Sequence, residues 1–177
     1  MTPWTQMLST PVLWFGLGFG SGLSPLAPGT MGTVMGGVLY WILSLAFGLS
    51  GWFWVPFLII SGVVGVWICQ QSAQHLGSSD PGAVVFDEMH AFWIVLWLVD
   101  VMLHSKGTMN DNGLNHSMGW WLLAFVLFRA FDMLKPPPIG WLDQHIKGGL
   151  GIMLDDWVAA LMALVCLGLV YWGVRAV

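Results

Sequence analysis

Two pairs of adjacent carboxylates and one further Asp lie at the ends of apolar stretches in a chain of which only 8% is charged. Adjacent carboxylates in apolar surroundings need a cation, a basic side chain or a proton to compensate their charge. Carboxylates without companion Cys ligands suit a hard cation, and Mg²⁺ takes a few of them and completes its shell with water and phosphate oxygens. The sequence therefore predicts a Mg²⁺ site. We expect its ligands to be Asp87, Glu88, Asp155 and Asp156, with Asp132 as a further catalytic residue.

Basic side chains and glycines that suit a phosphate lie near these carboxylates in the sequence. Arg129 and Lys135 end one apolar stretch, and Lys147 precedes a glycine-rich segment that begins with Gly148 and Gly149. Guanidinium and ammonium groups bind phosphate oxygens, and successive backbone N–H groups form anion-binding concavities. We predict that these five residues bind a substrate phosphate beside the metal. The alternative for each basic residue is an ion pair or a side chain that reaches the lipid headgroups.

Two threonines at the start of the first long apolar stretch extend the candidate phosphate site. Residues 21–30 have the Pro, Gly and hydroxyl composition of a loop, so Thr30 or Thr33 can cap the helix that follows. The free N–H groups at such a helix start favour an anion. On this signal alone a simple helix cap is the favoured interpretation. The helix dipole offers the same structural alternative for Asp155 and Asp156.

The elements that must position these residues are membrane-spanning helices. Hydrophobic residues make up 57% of the 177 residues, and charged residues are far below the roughly 25% of soluble domains. Five apolar stretches approach the roughly 20 residues that a helix needs to cross a bilayer. They cover residues 31–49, 51–69, 83–103, 117–134 and 152–174. We predict an all-α, polytopic membrane protein with about five apolar helices, in a single integral membrane domain over residues 1–177.

The N-terminal segment and the composition limit the remaining possibilities. Residues 1–20 lack the cationic start of a signal peptide, and Pro11 divides them, so we predict an interfacial or re-entrant helix rather than a span. A net charge of −4 with five Lys and Arg residues argues against nucleic acid as a partner and leaves membrane lipids. Cys69 and Cys166 lie in apolar stretches and suit packing better than a disulfide.

The order of the spans predicts where the polar residues meet. Five crossings put residues 21–30, 70–82 and 135–151 on one side of the membrane, and all the candidate site residues lie at that side. Three of the five Lys and Arg residues are there too, which points weakly to the cytoplasm. Residues 104–116 form the opposite loop, whose two His residues we interpret as solvated rather than metal-bound.

Two further ionisable residues lie in the third span. His90 shares a helix face with Asp87, which would place a titratable group beside the proposed metal. Asp100 follows Asp87 by thirteen positions, on the order of 20 Å of helix. Ionisable groups inside a membrane are functional candidates by default. Because of this distance, however, we predict that Asp100 lies near the opposite interface and is dispensable for the chemistry.

Four motifs in the chain resemble the phosphatidylglycerophosphatase A family. They are PGTMGT at 28–33, VVFDE at 84–88, FRAFDMLKPPPI at 128–139 and LDQHIKGGLGIMLDD at 142–156, and the resemblance covers most of the chain after Gly18. It implies a bacterial inner-membrane enzyme, multi-pass and Mg²⁺-dependent, that hydrolyses phosphatidylglycerophosphate to phosphatidylglycerol with its active site at the cytoplasm. The chain departs from the family pattern at His90, where an apolar residue is common, and at Pro137, where the family's KPWPI motif has Trp.

The residues favour metal-activated water as the nucleophile. Neither Cys lies in a Cys-x₅-Arg loop and no Asp-x-Asp-x-Thr segment is present, while a bound metal can polarise the phosphoryl group and activate water. A phospho-aspartate intermediate and the identity of the base stay open, as does the oligomeric state. Two other classes remain as alternatives: a membrane transporter whose acidic cluster passes a cation, and a non-catalytic membrane scaffold.

Overall fold

The structure, a computed structural model, describes residues 3–47, 53–104 and 113–176, and all regular secondary structure within these ranges is helical. A short 3₁₀ segment, Gly18–Leu23, separates the second and third helices. The α-helices are α1 (Pro3–Ser9), α2 (Pro11–Gly16), α3 (Pro28–Phe47), α4 (Trp54–Leu76), α5 (Phe86–His104), α6 (Gly113–Leu134), α7 (Ile139–His145) and α8 (Gly148–Ala176).

The long helices have the character of membrane spans. Within the described ranges, three segments are long and apolar enough to cross a membrane: α3, α4 and the Gly148–Arg175 part of α8. The helices α5 and α6 coincide with the other two predicted apolar stretches. Because α5 packs against four neighbouring helices, its carboxylates are not presented to lipid. The prediction of an all-α membrane protein is confirmed.

Helix α5 is the centre of the bundle, and its neighbours α3, α4, α6 and α8 surround it. The starts of α3 and α8 meet the start of α5 through Gly29 and Asp156. The end of α6 reaches the same place through Arg129 of its last two turns, and the end of α4 is joined to the start of α8 by a hydrogen bond from Gly149 to Gln70. Five helix ends therefore lie together at one end of the bundle.

Small residues let α3 pack closely against α5. A Cβ atom added at Gly36 would lie 2.9 Å from the Cα of Met89, so only glycine permits this approach. The indole of Trp93 uses the same contact to donate a hydrogen bond of 2.8 Å to the Gly36 carbonyl. Close helix contact through small residues is a general feature of packing in lipid, and it fixes the start of α5 beside the start of α3.

Several predicted boundaries were wrong, because the helices extend beyond the apolar stretches. Residues 70–76, predicted as loop, form the last two turns of α4, which ends at Leu76 and is capped by Gly77 in the left-handed conformation. The glycine-rich residues 148–151 form the first turn of α8 rather than a loop, and α7 lies within the predicted loop 135–151. Of the predicted loop 104–116, residues 105–112 lie outside the described residues and residues 113–116 belong to α6.

The N-terminal segment forms short helices rather than a span, as predicted. Helix α2 begins at Pro11, and α1 and α2 contain seven and six residues, each about 10 Å or less at 1.5 Å per residue. The carbonyl of Gly16 accepts a hydrogen bond of 2.9 Å from the Val85 N–H, which ties the segment to the residues before α5. Trp4 and Trp14 are exposed, as is typical of side chains at a membrane interface.

Candidate active site

Three carboxylates from two helices meet at the common end of the bundle. Asp87 and Glu88 lie in the first turn of α5, and Asp156 lies in α8. One oxygen from each lies within 4.8 Å of the others. Asp87 is 8% exposed and Asp156 is 2% exposed. We call these three residues the acidic cluster.

The oxygens of the acidic cluster lack the partners that buried oxygens normally have. Oδ1 of Asp87, Oε2 of Glu88 and Oδ2 of Asp156 are buried without a hydrogen-bond partner, and so is Oδ1 of Asp155. Buried polar atoms are paired in the great majority of cases, because leaving a group unpaired costs free energy. An all-carboxylate donor set with unpaired oxygens fits a hard divalent cation such as Mg²⁺.

Asp155 lies next to the cluster but is held by a lysine. Its Oδ2 accepts a hydrogen bond of 2.8 Å from the Nζ of Lys135, which also forms a 3.1 Å ion pair with Asp143. Burial acts to lower the pKa of Lys135, but its hydrogen bonds to Asp155 and Asp143 and their negative charges outweigh this and hold the pKa above its ordinary value. Lys135 is therefore protonated and carries a positive charge beside the cluster.

Arg129 brings a second cation to the cluster from α6. Its guanidinium forms an ion pair with Asp132, one helical turn away, and lies 3.6 Å from Oε1 of Glu88. It also donates a 3.5 Å hydrogen bond to the hydroxyl of Thr33, which in turn donates to the Gly29 carbonyl at 2.9 Å. The Nε of Arg129 is buried without a partner. The guanidinium thus connects α3, α5 and α6 at the site.

Gly29 makes room for this contact at the start of α3. A Cβ atom there would overlap Oε1 of Glu88 and would lie 3.1 Å from both terminal nitrogens of Arg129. Sequence reasoning considered Thr30 and Thr33 but missed Gly29, which precedes them in the PGT motif. Thr33 is buried at the site, and Thr30 is half-buried in the same helical turn.

Comparison with known proteins assigns this arrangement to a family. The family model for phosphatidylglycerophosphatase A matches residues 14–171. The chain belongs to this family. It is 36% identical to phosphatidylglycerophosphatase A of Escherichia coli over 157 residues, which are 88% of this chain and 81% of the relative. The identity to phosphatidylglycerophosphatase A of Haemophilus influenzae is also 36%, over 166 residues that cover 93% and 92% of the two chains.

A third relative has a different name. A protein of Bacteroides thetaiotaomicron with the provisional name phosphatidylinositol-3-phosphatase is 32% identical over 165 residues, which are 92% of this chain and 94% of that protein. No solved structure matches the chain. Family membership confirms the resemblance read from the motifs and makes the chain a membrane phosphatase.

The family's glycine-rich motif does not bring all of its predicted phosphate ligands to the acidic cluster. Lys147 is exposed, and its Nζ donates a 2.6 Å hydrogen bond to the Asp143 carbonyl. Gly148 adopts the left-handed conformation with φ 79°. The Gly149 N–H donates to Oε1 of Gln70 at 2.7 Å, and a Cβ atom at this residue would overlap the α4 backbone. Gly148 and Gly149 begin α8 and pack it against α4, and phosphate binding by Lys147, Gly148 and Gly149 stays a prediction.

His90 does not lie beside the cluster as a free titratable group. The indole N–H of Trp157 donates a 3.0 Å hydrogen bond to Nδ1 of His90, and Nε2 lies 3.0 Å from the Leu58 carbonyl oxygen. Its two ring nitrogens therefore contact α4 and α8. His90, the residue that departs from the family motif, therefore forms a contact between helices.

Asp100 lies near the other end of α5, four residues before its last residue, His104, and its side chain is 2% exposed. Its Oδ2 accepts a 2.7 Å hydrogen bond from the Tyr40 hydroxyl, and its Oδ1 accepts one of 2.9 Å from the Trp121 indole. Both oxygens are paired, unlike those of the acidic cluster. Asp100 joins α3, α5 and α6, and this structural role explains why a carboxylate is buried there.

Proposed function

We propose that the chain is a Mg²⁺-dependent phosphatase that hydrolyses phosphatidylglycerophosphate to phosphatidylglycerol and inorganic phosphate. We place it in the bacterial inner membrane with the active site facing the cytoplasm. The observation that supports this proposal most is that Asp87, Glu88 and Asp156 bring carboxylate oxygens within 4.8 Å of one another and that each of the three also has a buried oxygen without a hydrogen-bond partner. The names of the relatives in Escherichia coli and Haemophilus influenzae support the choice of substrate.

The charges of the site favour a divalent cation. The acidic cluster together with Asp132 and Asp155 carries five carboxylates, and the basic groups paired with them are Arg129 and Lys135. Five negative groups against two positive groups leave three formal negative charges before a substrate phosphate binds. Because like charges in a partly buried site repel strongly, a phosphate needs additional positive charge to enter.

The residues of the chain have distinct roles in this proposal. The acidic cluster would hold Mg²⁺, which when bound supplies a Lewis acid that polarises the phosphoryl oxygens and activates water. Arg129, held by Asp132 and Thr33, presents a guanidinium to the phosphate oxygens. Lys135 stabilises the charge that develops on the phosphate. Asp155 is the base that we favour, because its Oδ1 is unpaired while Lys135 holds its Oδ2.

The other two function classes agree less well with the geometry. A cation transporter needs polar groups along a path, but within the described residues the next carboxylate along α5 is Asp100, which is already bonded to Tyr40 and Trp121. A scaffold whose polar residues only stabilise the bundle would pair its buried oxygens. Four site carboxylates instead keep an unpaired oxygen.

Release of inorganic phosphate from defined lipids tests the proposal. The purified protein in lipid vesicles should hydrolyse phosphatidylglycerophosphate with Mg²⁺, stop with a chelator and recover when Mg²⁺ is returned. Asp87→Asn, which preserves the shape of the side chain, should be inactive. Phosphatidylinositol 3-phosphate is the informative second substrate because of the third relative. Hydrolysis that persists in chelator would refute the metal dependence, and a preference for the inositol lipid would refute the substrate.

Labelling of an introduced cysteine tests the orientation. Ser79 is exposed in the segment between α4 and α5, at the same end of the bundle as the acidic cluster. In Ser79→Cys, a membrane-impermeant maleimide should react in inverted inner-membrane vesicles and not in intact spheroplasts. The native cysteines give the background, since Cys69 is buried and Cys166 is half-buried in a span. Labelling in spheroplasts alone would place the active site on the periplasmic side.

A further inference from the structure

His90 connects three helices directly beneath the acidic cluster. An indole N–H can only donate a hydrogen bond, so Nδ1 of His90 must accept the bond from Trp157 and cannot carry a proton. The hydrogen of the neutral ring is then on Nε2, which donates to the Leu58 carbonyl. Both ring nitrogens are used, in one tautomer, between α4, α5 and α8. His90 is 2% exposed.

The position of this contact in the sequence couples it to the metal site. Trp157 directly follows Asp156 on α8, and His90 lies one helical turn after Asp87 on α5. The hydrogen bond between the two rings therefore joins α5, one turn after Asp87, to α8 at the residue that follows Asp156. A change in the height or rotation of one helix would move its carboxylate and its ring together.

The surroundings make the contact difficult to replace. A Cβ atom at Gly62 would lie 3.2 Å from Nε2 of His90 and 3.4 Å from the Trp157 ring, so glycine leaves the space that the two rings fill. The rings line an apolar groove of about 570 Å³ together with residues such as Val63 and Ile94. Water is absent from the hydrocarbon core of a membrane, so a lost hydrogen bond there is not restored by solvent.

The hydrogen bond between His90 and Trp157 opposes the repulsion within the acidic cluster. Asp87 and Glu88 on α5 and Asp156 on α8 carry the same charge, and their repulsion acts to separate the two helices when no cation is bound. We infer that His90 is a positioning residue: with Trp157 it fixes the register of α5 against α8 and so keeps these carboxylates at a distance that one metal ion can bridge. This inference rests on the metal site of the proposed function.

Binding of Mn²⁺, measured by electron paramagnetic resonance on the purified protein, separates positioning from general stability. His90→Leu and Trp157→Phe should each weaken Mn²⁺ binding by about tenfold, at the lower end of what loss of an outer-shell partner costs. His90→Gln keeps a donor and an acceptor and should restore most of the affinity. The variant that carries both changes should bind Mn²⁺ no more weakly than the single variant with the lower affinity, because the two changes remove the same interaction.

Trp121→Phe is the matched control. It also removes an indole N–H that bonds to α5, but at Asp100, far from the acidic cluster. It should lower the thermal midpoint without metal as Trp157→Phe does, yet leave the Mn²⁺ dissociation constant unchanged. Equal affinities in the wild-type protein, Trp157→Phe and His90→Leu would overturn the inference and leave the proposed function intact. A wild-type protein that binds no divalent cation would overturn both.

Discussion

Replacement of Gly29 by Ala tests whether the acidic cluster depends on the close contact between α3 and α5. The added Cβ would overlap Oε1 of Glu88 and would lie 3.1 Å from both terminal nitrogens of Arg129. The carboxylate is one of the three that meet within 4.8 Å, so any movement of it away from Gly29 changes the metal site. Gly29→Ala therefore adds one methyl group at a position where Glu88 and Arg129 leave no space for it.

The expected magnitudes differ between stability and turnover. Overpacking costs about 1–3 kcal/mol, while Ala in place of Gly in a helix stabilises by about 0.5–1 kcal/mol, so the net loss of stability should be about 2.5 kcal/mol or less. The Glu88 carboxylate must retreat by on the order of 1 Å, and a misplacement of that size costs on the order of 100-fold in turnover. Gly29→Ala should therefore fold and be nearly inactive.

Gly168→Ala is the matched control for this variant. Gly168 lies in α8, and a Cβ atom there would meet no atom within 4 Å. The change should raise the free energy of unfolding by about 0.5–1 kcal/mol and leave phosphate release unchanged. Thermal unfolding and phosphate release, measured as a function of Mg²⁺ concentration, are the assays. Normal turnover at normal Mg²⁺ concentrations in Gly29→Ala would refute the geometry described for α3, Glu88 and Arg129.

Three further predictions use the same phosphate-release assay. Asp87→Asn should abolish turnover whereas Asp100→Asn should keep most of it, because an Asn can still pair with both partners of Asp100; equal losses in folded variants would contradict the location of the site. Arg129→Lys should lower turnover by about 10²-fold or more, since an ammonium group cannot hold several partners with the planar guanidinium geometry; unchanged kinetics would leave Arg129 a generic charge. Lys147→Ala should stay within about twofold of wild type, because its ammonium bonds to a backbone carbonyl outside the acidic cluster; a large loss would instead support the role in phosphate binding that the sequence predicts.

The end of the bundle at which the site lies could be predicted from the sequence because it depends on the count of spans. Once the apolar stretches are recognised, alternation of direction places Asp87, Glu88, Arg129 and Asp156 at the same end. In the structure the three carboxylates meet within 4.8 Å, and Arg129 lies 3.6 Å from Glu88. The ends of the helices were harder to predict. A polar residue there can face the membrane interface or a neighbouring helix, so it is compatible with both helix and loop. Gln70 is an example: it was assigned to a loop, but it lies in α4 and accepts a hydrogen bond from the start of α8.

The roles of individual carboxylates could not be derived from residue type and depth alone. Asp87 and Asp100 are on one helix, and both side chains are buried, at 8% and 2% exposed. The tertiary contacts distinguish them. Tyr40 of α3 and Trp121 of α6 donate hydrogen bonds to the two oxygens of Asp100, whereas Asp87 lies beside two other carboxylates and its Oδ1 has no hydrogen-bond donor. An unpaired buried oxygen is costly, and four of them at one end of the bundle suit a ligand that pairs with them. A divalent cation would do so, and the same cation would reduce the repulsion between the site and a phosphate. The unpaired oxygens therefore argue for metal and phosphate together more strongly than the number of acidic residues does.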